Sequence, residues 1–316
     1  IDWPRIEAFT GPLDVFHSIQ GRLPAARRAR LLLTLHDFRH YRLPHLYPGI
    51  RWFPREIARA DHFTAASEAT RRHAVEFLEI PPERITTVYW GPPEPPPPLA
   101  PERRGAALAR RGIGSPYIFC PSSSDPRKNV AGAIRAHQIL RQRTGCPHGL
   151  VVVGELPPGA EASLRRSAGD RVVFTGGVPD EEYFALLESA ALSVQPSLDE
   201  GFGFPVLEAF QAGVPLAVAR GSSLPEVAGP AALTFDPREP EDMAQALERL
   251  IAEPGLPGRL VALGRERLGE FSWERTARQL LDLYRRREAR RPRLCDALRW
   301  RAVAGGSGGE SRTSRA

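Results

Sequence analysis

The chain has 316 residues, 42% of them hydrophobic and 25% charged, with a net charge of +6. This composition is typical of a globular protein with room for two domains, and it excludes collagen-like and disulfide-rich chains. The sequence contains no run of about 18 apolar residues, the length that is needed to span a bilayer. The chain starts at Ile1 and its single methionine is Met243, which predicts either a fragment or a gene model that lacks its true beginning.

In the first half, short buried strands alternate with helices. The strands are predicted at 14–20, 30–37, 62–67 and 85–91, and the helices at 52–60 and 67–79. Ser67 is a suitable N-cap for the second helix. The proline-rich stretch at 91–102 fits neither a helix nor a central strand, so we expect a stiff linker.

The second half shows the same alternation. Strands are predicted at 116–121, 149–154, 171–177, 191–197, 214–220 and 231–236, and helices at 129–143, 180–190 and within 241–291. Alternating strands and helices predict a parallel, doubly wound α/β sheet in each half. Two such domains joined by a linker imply a cleft between them, where ligands commonly bind.

A glycine-rich segment, LDEGFG at 198–203, follows one of these strands and precedes a helix; we call it the glycine loop. Gly201 and Gly203 permit backbone angles that are closed to other residues and let the main chain approach a ligand closely. Pro205 suits the first position of the helix, whose free amides form an anion site. Glu200 lies in the loop, and we expect Glu208 in the first helical turn, where the helix dipole favours it. A flexible turn before an acidic helix start is the alternative interpretation.

Residues 122–129, SSSDPRKN, form a second loop between a strand and a helix; we call it the cation loop. An arginine fork beside a lysine point charge, here Arg127 and Lys128, suits a diphosphate. An adjacent pair of cations is usually only surface charge. The glycine loop at the same edge of the cleft favours the functional interpretation.

Several motifs in order make the chain similar to the retaining GT-B glycosyltransferases of family 4. EGFGFPVLE resembles their E-x7-E motif, and DPRKN resembles their phosphate-binding segment. The segments TLHDFRHYRLP (34–44), 60–91 and 222–237 resemble further family motifs, and FSWERTARQLLDLY (271–284) resembles the last helix, which crosses back to the first domain. The resemblance covers about residues 12–285 and implies two Rossmann-like domains facing a cleft.

The resemblance also implies roles for individual residues. Glu208 would accept hydrogen bonds from the ribose of a nucleotide-sugar donor, and Glu200 would hold hydroxyls of the donor sugar. His36 would reach across the cleft to that sugar. The backbone at Phe202, Gly203 and Phe204 would approach the sugar and its diphosphate, while Arg127 and Lys128 would neutralise the diphosphate as it leaves. The sequence has no Asp-x-Asp motif, so we expect no metal and no other cofactor, with cations and helix amides stabilising the leaving group.

Two departures from the family pattern concern Ser122 and the first domain. Ser122 replaces a glycine, and its side chain would narrow the phosphate pocket. The first domain lacks the opening strand and glycine-rich loop of these enzymes, which predicts an incomplete, N-terminally truncated domain. The predicted regions are a partial first domain at 1–90, a linker at 91–104, a nucleotide-sugar domain at 105–271, the crossing helix at 272–291 and a disordered tail at 292–316.

Three functions are considered. The first is a hexosyltransferase that uses a nucleotide-sugar, with GDP-mannose as the first choice, and a glycan or lipid-linked acceptor in polysaccharide synthesis. The second is a nucleotide-sugar-binding fragment with impaired catalysis. The third, a dinucleotide-dependent oxidoreductase, is disfavoured because no G-x-G-x-x-G follows the first strand of either half. His17 could contact the acceptor, although a structural histidine is the simpler interpretation.

Charge and cysteine usage bear on partners and location. The arginines lie along predicted helices without an aromatic platform or zinc pattern, so we expect no nucleic-acid partner. Solvated helix faces are the default explanation, and attraction to phosphorylated substrates or an anionic membrane surface is the functional one. The three cysteines, Cys120, Cys146 and Cys295, lack metal-ligand spacing, which predicts reduced thiols and a cytoplasmic location. The functional interpretation of the charge adds peripheral contact at the inner membrane face.

Overall fold

The structure is a computed structural model that describes residues 5–20, 22–48, 54–156 and 159–286. Within these ranges it has two sheets, and every strand pair in both sheets is parallel. The prediction of two α/β parallel-sheet domains is therefore confirmed. The tail predicted to be disordered, 292–316, lies outside the described residues, as does Cys295.

The first domain is built on a four-stranded sheet in the order β1-β2-β3-β4. These strands are Val15–Ser18 (β1), Arg30–Leu35 (β2), His62–Ala65 (β3) and Ile85–Thr87 (β4). Its helices are Glu7–Thr10 (α1), Arg39–Arg42 (α2), Pro54–Arg59 (α3) and Glu68–Leu78 (α4). As expected, the Ser67 side chain caps α4 by accepting a hydrogen bond from the Thr70 amide at 3.0 Å.

The second domain has a six-stranded sheet in the order β10-β9-β8-β5-β6-β7. The strands are Tyr117–Pro121 (β5), Gly149–Val153 (β6), Val172–Phe174 (β7), Leu192–Gln195 (β8), Leu216–Ala219 (β9) and Leu233–Phe235 (β10). The helices are Pro101–Arg110 (α5), Val130–Thr144 (α6), Glu161–Ala168 (α7), Asp180–Glu188 (α8), Phe204–Ala212 (α9), Leu224–Ala228 (α10), Pro240–Ala252 (α11) and Leu256–Leu268 (α12). This strand order is that of the Rossmann fold, with β5 as its first strand.

Alternating side chains place apolar residues on both faces of the second sheet. On β5, Ile118 and Cys120 point into one core layer, while Tyr117 and Phe119 point into the other. This is the two-residue period of a strand covered on both faces. Such burial explains why the central strands could be predicted as continuous apolar runs.

A last helix, Trp273–Arg285 (α13), packs against the first domain. The Thr276 hydroxyl donates to the Tyr89 carbonyl at 2.7 Å, and the Arg30 guanidinium donates to the Leu283 carbonyl at 3.2 Å. The side chains of Leu31 and Leu33 on β2 lie in the first-domain core, on the opposite face of the sheet from α13. Helix α13 therefore ties the end of the described chain to its beginning.

The proline-rich segment contains a helix that the sequence analysis did not predict. Residues 91–100 are in neither a helix nor a strand, but α5 begins at Pro101, inside the stretch assigned to the linker. Proline is favourable at a helix start because its missing N–H has no partner there. Within the described ranges, no helix combines the length and the apolar character needed to cross a bilayer.

Candidate active site

The two predicted loops meet at the point where the order of the second sheet reverses. β5 pairs with β6 on one side and with β8 on the other. The cation loop leaves the carboxyl end of β5, and the glycine loop follows β8. Open α/β sheets bind ligands in the crevice at such a switch point. The structure thus brings together segments that are about 70 residues apart in the sequence.

Glu200 forms an ion cluster with both cations of the cation loop. One carboxylate oxygen lies 2.5 Å from the Arg127 guanidinium, and the other lies 2.7 Å from Lys128 Nζ. The Ser197 hydroxyl donates to the same carboxylate at 2.9 Å. Only 8% of the Glu200 side chain is exposed. The sequence predicted these three charged residues in one site, but it did not predict that they pair with one another.

Charge pairing determines the ionisation of Glu200. Burial alone would raise its pKa, but Lys128 and Arg127 outweigh that effect and hold the pKa at about 2. Burial likewise opposes the charge on Arg127, whose pKa is nevertheless raised by Glu200 and Asp125. Glu200 and Arg127 are therefore both charged near neutral pH. Because a buried charge without a partner is costly, the cluster depends on all of its members.

Asp125 and Asn129 shape the cation loop, and the sequence analysis did not single out either of them. The Asp125 carboxylate accepts hydrogen bonds from the Arg127 amide at 3.0 Å and from its side chain at 3.1 Å. The Asn129 amide group donates to the carbonyls of Pro196 and Pro237. The Asp-Pro pair was the available signal, because aspartate before a turn commonly accepts from the backbone two residues on.

The start of helix α9 differs from the prediction. Gly203 is the N-cap, with a φ of 107° that favours glycine, so the helix begins at Phe204 and Pro205 is its second residue. Glu208 is therefore the fifth helical residue, and the prediction that it lies in the first turn is wrong. In the part of the chain that the structure describes, no side chain accepts a hydrogen bond from the first amides of α9, so its N-terminus is open to an anion.

The glycine loop also touches the first domain. The Gly201 carbonyl accepts hydrogen bonds from the Ser67 hydroxyl at 2.7 Å and the Thr70 hydroxyl at 3.0 Å. A Cβ at Gly201 would clash with the backbone carbonyl oxygen of His36. The residue must be glycine for the domains to approach this closely. On the second-domain side, the Ser223 hydroxyl lies within hydrogen-bonding distance of the Glu200 and Phe202 carbonyls.

Three further contacts hold the domains together beside the site. The Glu226 carboxylate accepts hydrogen bonds from the Glu68 and Ala69 amides at 2.6 and 2.9 Å, which caps α4 across the cleft. Arg39 pairs with Asp125 at 2.7 Å, and Arg42 pairs with Asp199. Burial raises the pKa of Asp199 to about 6, although Arg42 opposes the shift. Both arginines lie on α2, so this short helix contacts both loops of the site.

His36 and the loop phenylalanines meet in an aromatic cluster around Trp90. The ring centroids of His36, Phe202 and Phe204 each lie 5.5 Å from that of Trp90. The His36 Nε2 atom hydrogen-bonds to the Ile19 carbonyl within its own domain, and the His36 backbone carbonyl faces Gly201 of the glycine loop. Phe202 is buried in the core of the second domain, which leaves its backbone as the part that can approach a ligand.

A cavity of about 310 Å³ extends from His36 and Phe204 toward Trp273 on α13. His17 lies in its wall, and both of its ring nitrogens have partners: Tyr284 Oη at 2.7 Å and Thr34 Oγ1 at 2.8 Å. This favours the structural interpretation of His17 over contact with an acceptor. The Ser122 hydroxyl donates to the Glu155 carbonyl at 3.0 Å.

Two models of known protein families match the sequence of this chain. A family model described as glycosyl transferases group 1 matches residues 110–267, and one described as glycosyltransferase family 4 matches residues 5–92. The chain is a family 4 glycosyltransferase. The resemblance inferred from the motifs is therefore confirmed, and the cleft between the two domains is that of the GT-B fold.

Relatives of this glycosyltransferase include two mannosyltransferases of Escherichia coli. O-antigen chain mannosyltransferase B is 27% identical over 86% of the chain and 74% of its own length. Serotype-specific mannosyltransferase WbdA is also 27% identical, over 73% of the chain but only 29% of its own length. The crystal structure of a glycosyltransferase from Rickettsia africae superposes with a TM-score of 0.69 at 16% identity, covering 88% of the chain and 77% of that structure, which shows the shared fold.

Proposed function

We propose that this glycosyltransferase transfers a hexose, mannose from GDP-mannose in the first instance, to a glycan or lipid-linked acceptor with retention of configuration. The observation that carries the proposal is the buried cluster of Glu200, Arg127 and Lys128 at the switch point, beside the uncapped start of α9. A diphosphate is the ligand class that such cations and amides stabilise best. The mannosyl donor is supported by the names of the two relatives above.

In the proposed reaction, the diphosphate of the donor competes with Glu200 for the N–H groups of the cations. Arginine has five N–H donors and lysine three, so both can contact the phosphate while they keep one bond to Glu200. The bond from the anomeric carbon to the diphosphate breaks, and the acceptor oxygen forms its bond on the same face. The acceptor proton passes to the released diphosphate. Because Glu200 is held by both cations, we assign it no role as a nucleophile.

The proposal is tested by offering the protein a panel of GDP-, UDP- and ADP-sugars and measuring both binding and transfer. Transfer from one donor, GDP-mannose first, is the expected result. Binding without transfer or hydrolysis would instead support the nucleotide-sugar-binding fragment. Absence of binding to every donor would overturn the assignment of the site.

Replacement of Glu208 by glutamine is expected to weaken nucleotide binding while the fold is kept. A carboxylate that accepts from ribose hydroxyls makes charge-assisted hydrogen bonds worth roughly 1.5–3 kcal/mol each, so the Kd should rise about tenfold or more. Calorimetry with free GDP, UDP and ADP measures this directly. Glu181→Gln, at an exposed position on α8, is the matched control. Unchanged affinity in Glu208→Gln would contradict the assigned role.

We propose that the reaction needs no metal ion, because Arg127 and Lys128 supply the positive charge that the leaving diphosphate requires. Among the described residues there is no cluster of three or more His, Cys, Asp or Glu side chains arranged to hold a metal. Transfer rates measured with and without excess EDTA should therefore agree within error. Loss of activity in EDTA, with recovery on addition of Mg²⁺ or Mn²⁺, would count against this proposal.

We further place the enzyme in the cytoplasm, in peripheral contact with anionic lipid. The thiols of Cys120 and Cys146 are free and buried, as suits a reducing compartment. On α13, the apolar side chains of Trp273 and Leu281 are exposed beside several arginines, a combination that favours contact with a membrane surface. Cosedimentation with anionic but not neutral liposomes is the expected result; equal recovery with both would argue against lipid contact.

A further inference from the structure

The Glu208 carboxylate has a partner that none of the motifs contains. The Tyr183 hydroxyl donates to Glu208 Oε2 at 2.7 Å, from α8 to the neighbouring α9. Among the residues that the structure describes, this is the single hydrogen bond made to that carboxylate. Glu208 Oε1 is thus left for a ligand.

The Tyr183 ring is held firmly, so its hydroxyl is a well-placed donor. It makes edge-to-face contacts with Phe119 on β5, at 5.2 Å between ring centroids, and with Phe184, at 5.7 Å. A tyrosine has only two side-chain torsions, and these aromatic contacts restrict both. A carboxylate has about four lone-pair positions, and the bond from Tyr183 occupies one of them.

We propose that Tyr183 is a positioning residue of the nucleotide site: its hydroxyl fixes the Glu208 carboxylate so that the free oxygen Oε1 accepts from a ribose hydroxyl of the donor. This inference rests on the proposed function, because it assumes that Glu208 binds the ribose. It adds a residue outside the E-x7-E segment, on a different helix, to the recognition of the nucleotide.

The charges around Glu208 give the inference a second, electrostatic readout. Burial raises the pKa of Glu208, and the charge of Asp180 adds to this effect. The hydrogen bond from Tyr183 and the charge of Lys128 lower the pKa. Loss of the tyrosine hydroxyl should therefore raise the pKa of Glu208 further. A protonated Glu208 is a weaker acceptor, so binding that depends on the ribose should be lost at a higher pH in the variant.

The experiment compares Tyr183→Phe with Tyr117→Phe, using GDP and 2′,3′-dideoxy-GDP as probes. Tyr117 is a matched control, because its buried hydroxyl donates to the Leu186 carbonyl, also on α8, at 2.5 Å and does not contact Glu208. For Tyr183→Phe we expect GDP binding about 3- to 10-fold weaker, the effect of one ordinary hydrogen bond, with dideoxy-GDP binding unchanged. Tyr117→Phe should bind both ligands like the wild type.

A pH series and a second variant complete the test. Both ligands carry the same phosphates, so the ratio of GDP affinity to dideoxy-GDP affinity is independent of phosphate titration. This ratio should fall as the pH is lowered, and in Tyr183→Phe it should begin to fall at a higher pH. Tyr183→Gln keeps an N–H donor and should recover part of the affinity for GDP. If Tyr183→Phe weakens both ligands equally, or behaves like Tyr117→Phe, the inference is overturned. If neither Tyr183→Phe nor Glu208→Gln changes GDP affinity, both the inference about Tyr183 and the proposed role of Glu208 are wrong. If Glu208→Gln weakens GDP binding but Tyr183→Phe does not, only the inference about Tyr183 is wrong.

Discussion

Replacement of Arg127 by alanine is expected to lower kcat by about 10²- to 10³-fold, the range seen when one preorganised donor to a developing charge is removed. Arg127 contacts Glu200 at 2.5 Å, Asp125 at 3.1 Å and the Asp199 carbonyl at 2.6 Å. Lys128→Ala should cost less, because Lys128 makes one ion pair, to Glu200, and has no planar fork. The measurement is kcat with the donor that the panel identifies.

Exchanging arginine and lysine at these two positions distinguishes the effect of the charge on kcat from the effect of the side-chain geometry. Arg127→Lys keeps the charge but loses the fork, so it should remain impaired, whereas Lys128→Arg should be tolerated better. Thermal unfolding of each variant shows whether a loss of activity reflects a loss of fold. A kcat for Arg127→Ala within threefold of the wild type would show that Arg127 does not stabilise the leaving group.

Glu200→Gln is expected to lower both activity and the free energy of unfolding, by roughly 3 kcal/mol at neutral pH, because two buried cations lose their shared counter-ion. The pKa of Glu200 is lowered from 4.5 to about 2 in the folded protein. Its stabilising contribution is therefore complete above pH 4.5 and is lost as the pH falls through about 2. Urea unfolding of both proteins from pH 7 to pH 2 should show the difference in stability shrinking toward acid.

The control for this experiment is an ion pair that lies in water. Glu253 pairs with Arg249 one helical turn away at 2.5 Å, and both side chains are exposed. Because exposed pairs contribute little, Glu253→Gln should leave the unfolding free energy nearly unchanged. A difference between Glu200→Gln and the wild type that stayed constant down to pH 2 would show that shape, not charge, is the reason for any loss of stability.

Local features of the sequence were enough to predict the fold and the two loops. Apolar runs such as that of β5 mark strands because their residues are buried on both faces, and the glycines and cations follow those strands directly. The exact helix start was not predictable, because the left-handed backbone at Gly203 shifts α9 and moves Glu208 out of the first turn. The same limit applies to α5, whose start lies inside a proline-rich stretch.

Contacts between distant segments could not be predicted from the sequence. Tyr183 and Glu208 are 25 residues apart, while Ser67 and Gly201 are 134 residues apart. Such pairs depend on how helices and domains pack, and no local pattern encodes that packing. The pairing of Glu200 with Arg127 and Lys128 belongs to this class, although each of the three residues could be selected from its own motif.

The attachment of Gly201 has a kinetic consequence. Its carbonyl is bound by two hydroxyls of the first domain, while Glu200, the next residue toward the N-terminus, holds the two cations of the second. A motion that widens the cleft breaks the hydrogen bonds to Gly201 along with the other contacts between the domains, and it pulls on the chain that carries Glu200. We therefore expect opening of the domains and loosening of the charge cluster to be coupled. In an enzyme built this way, we expect the binding site to disassemble as the spent nucleotide is released.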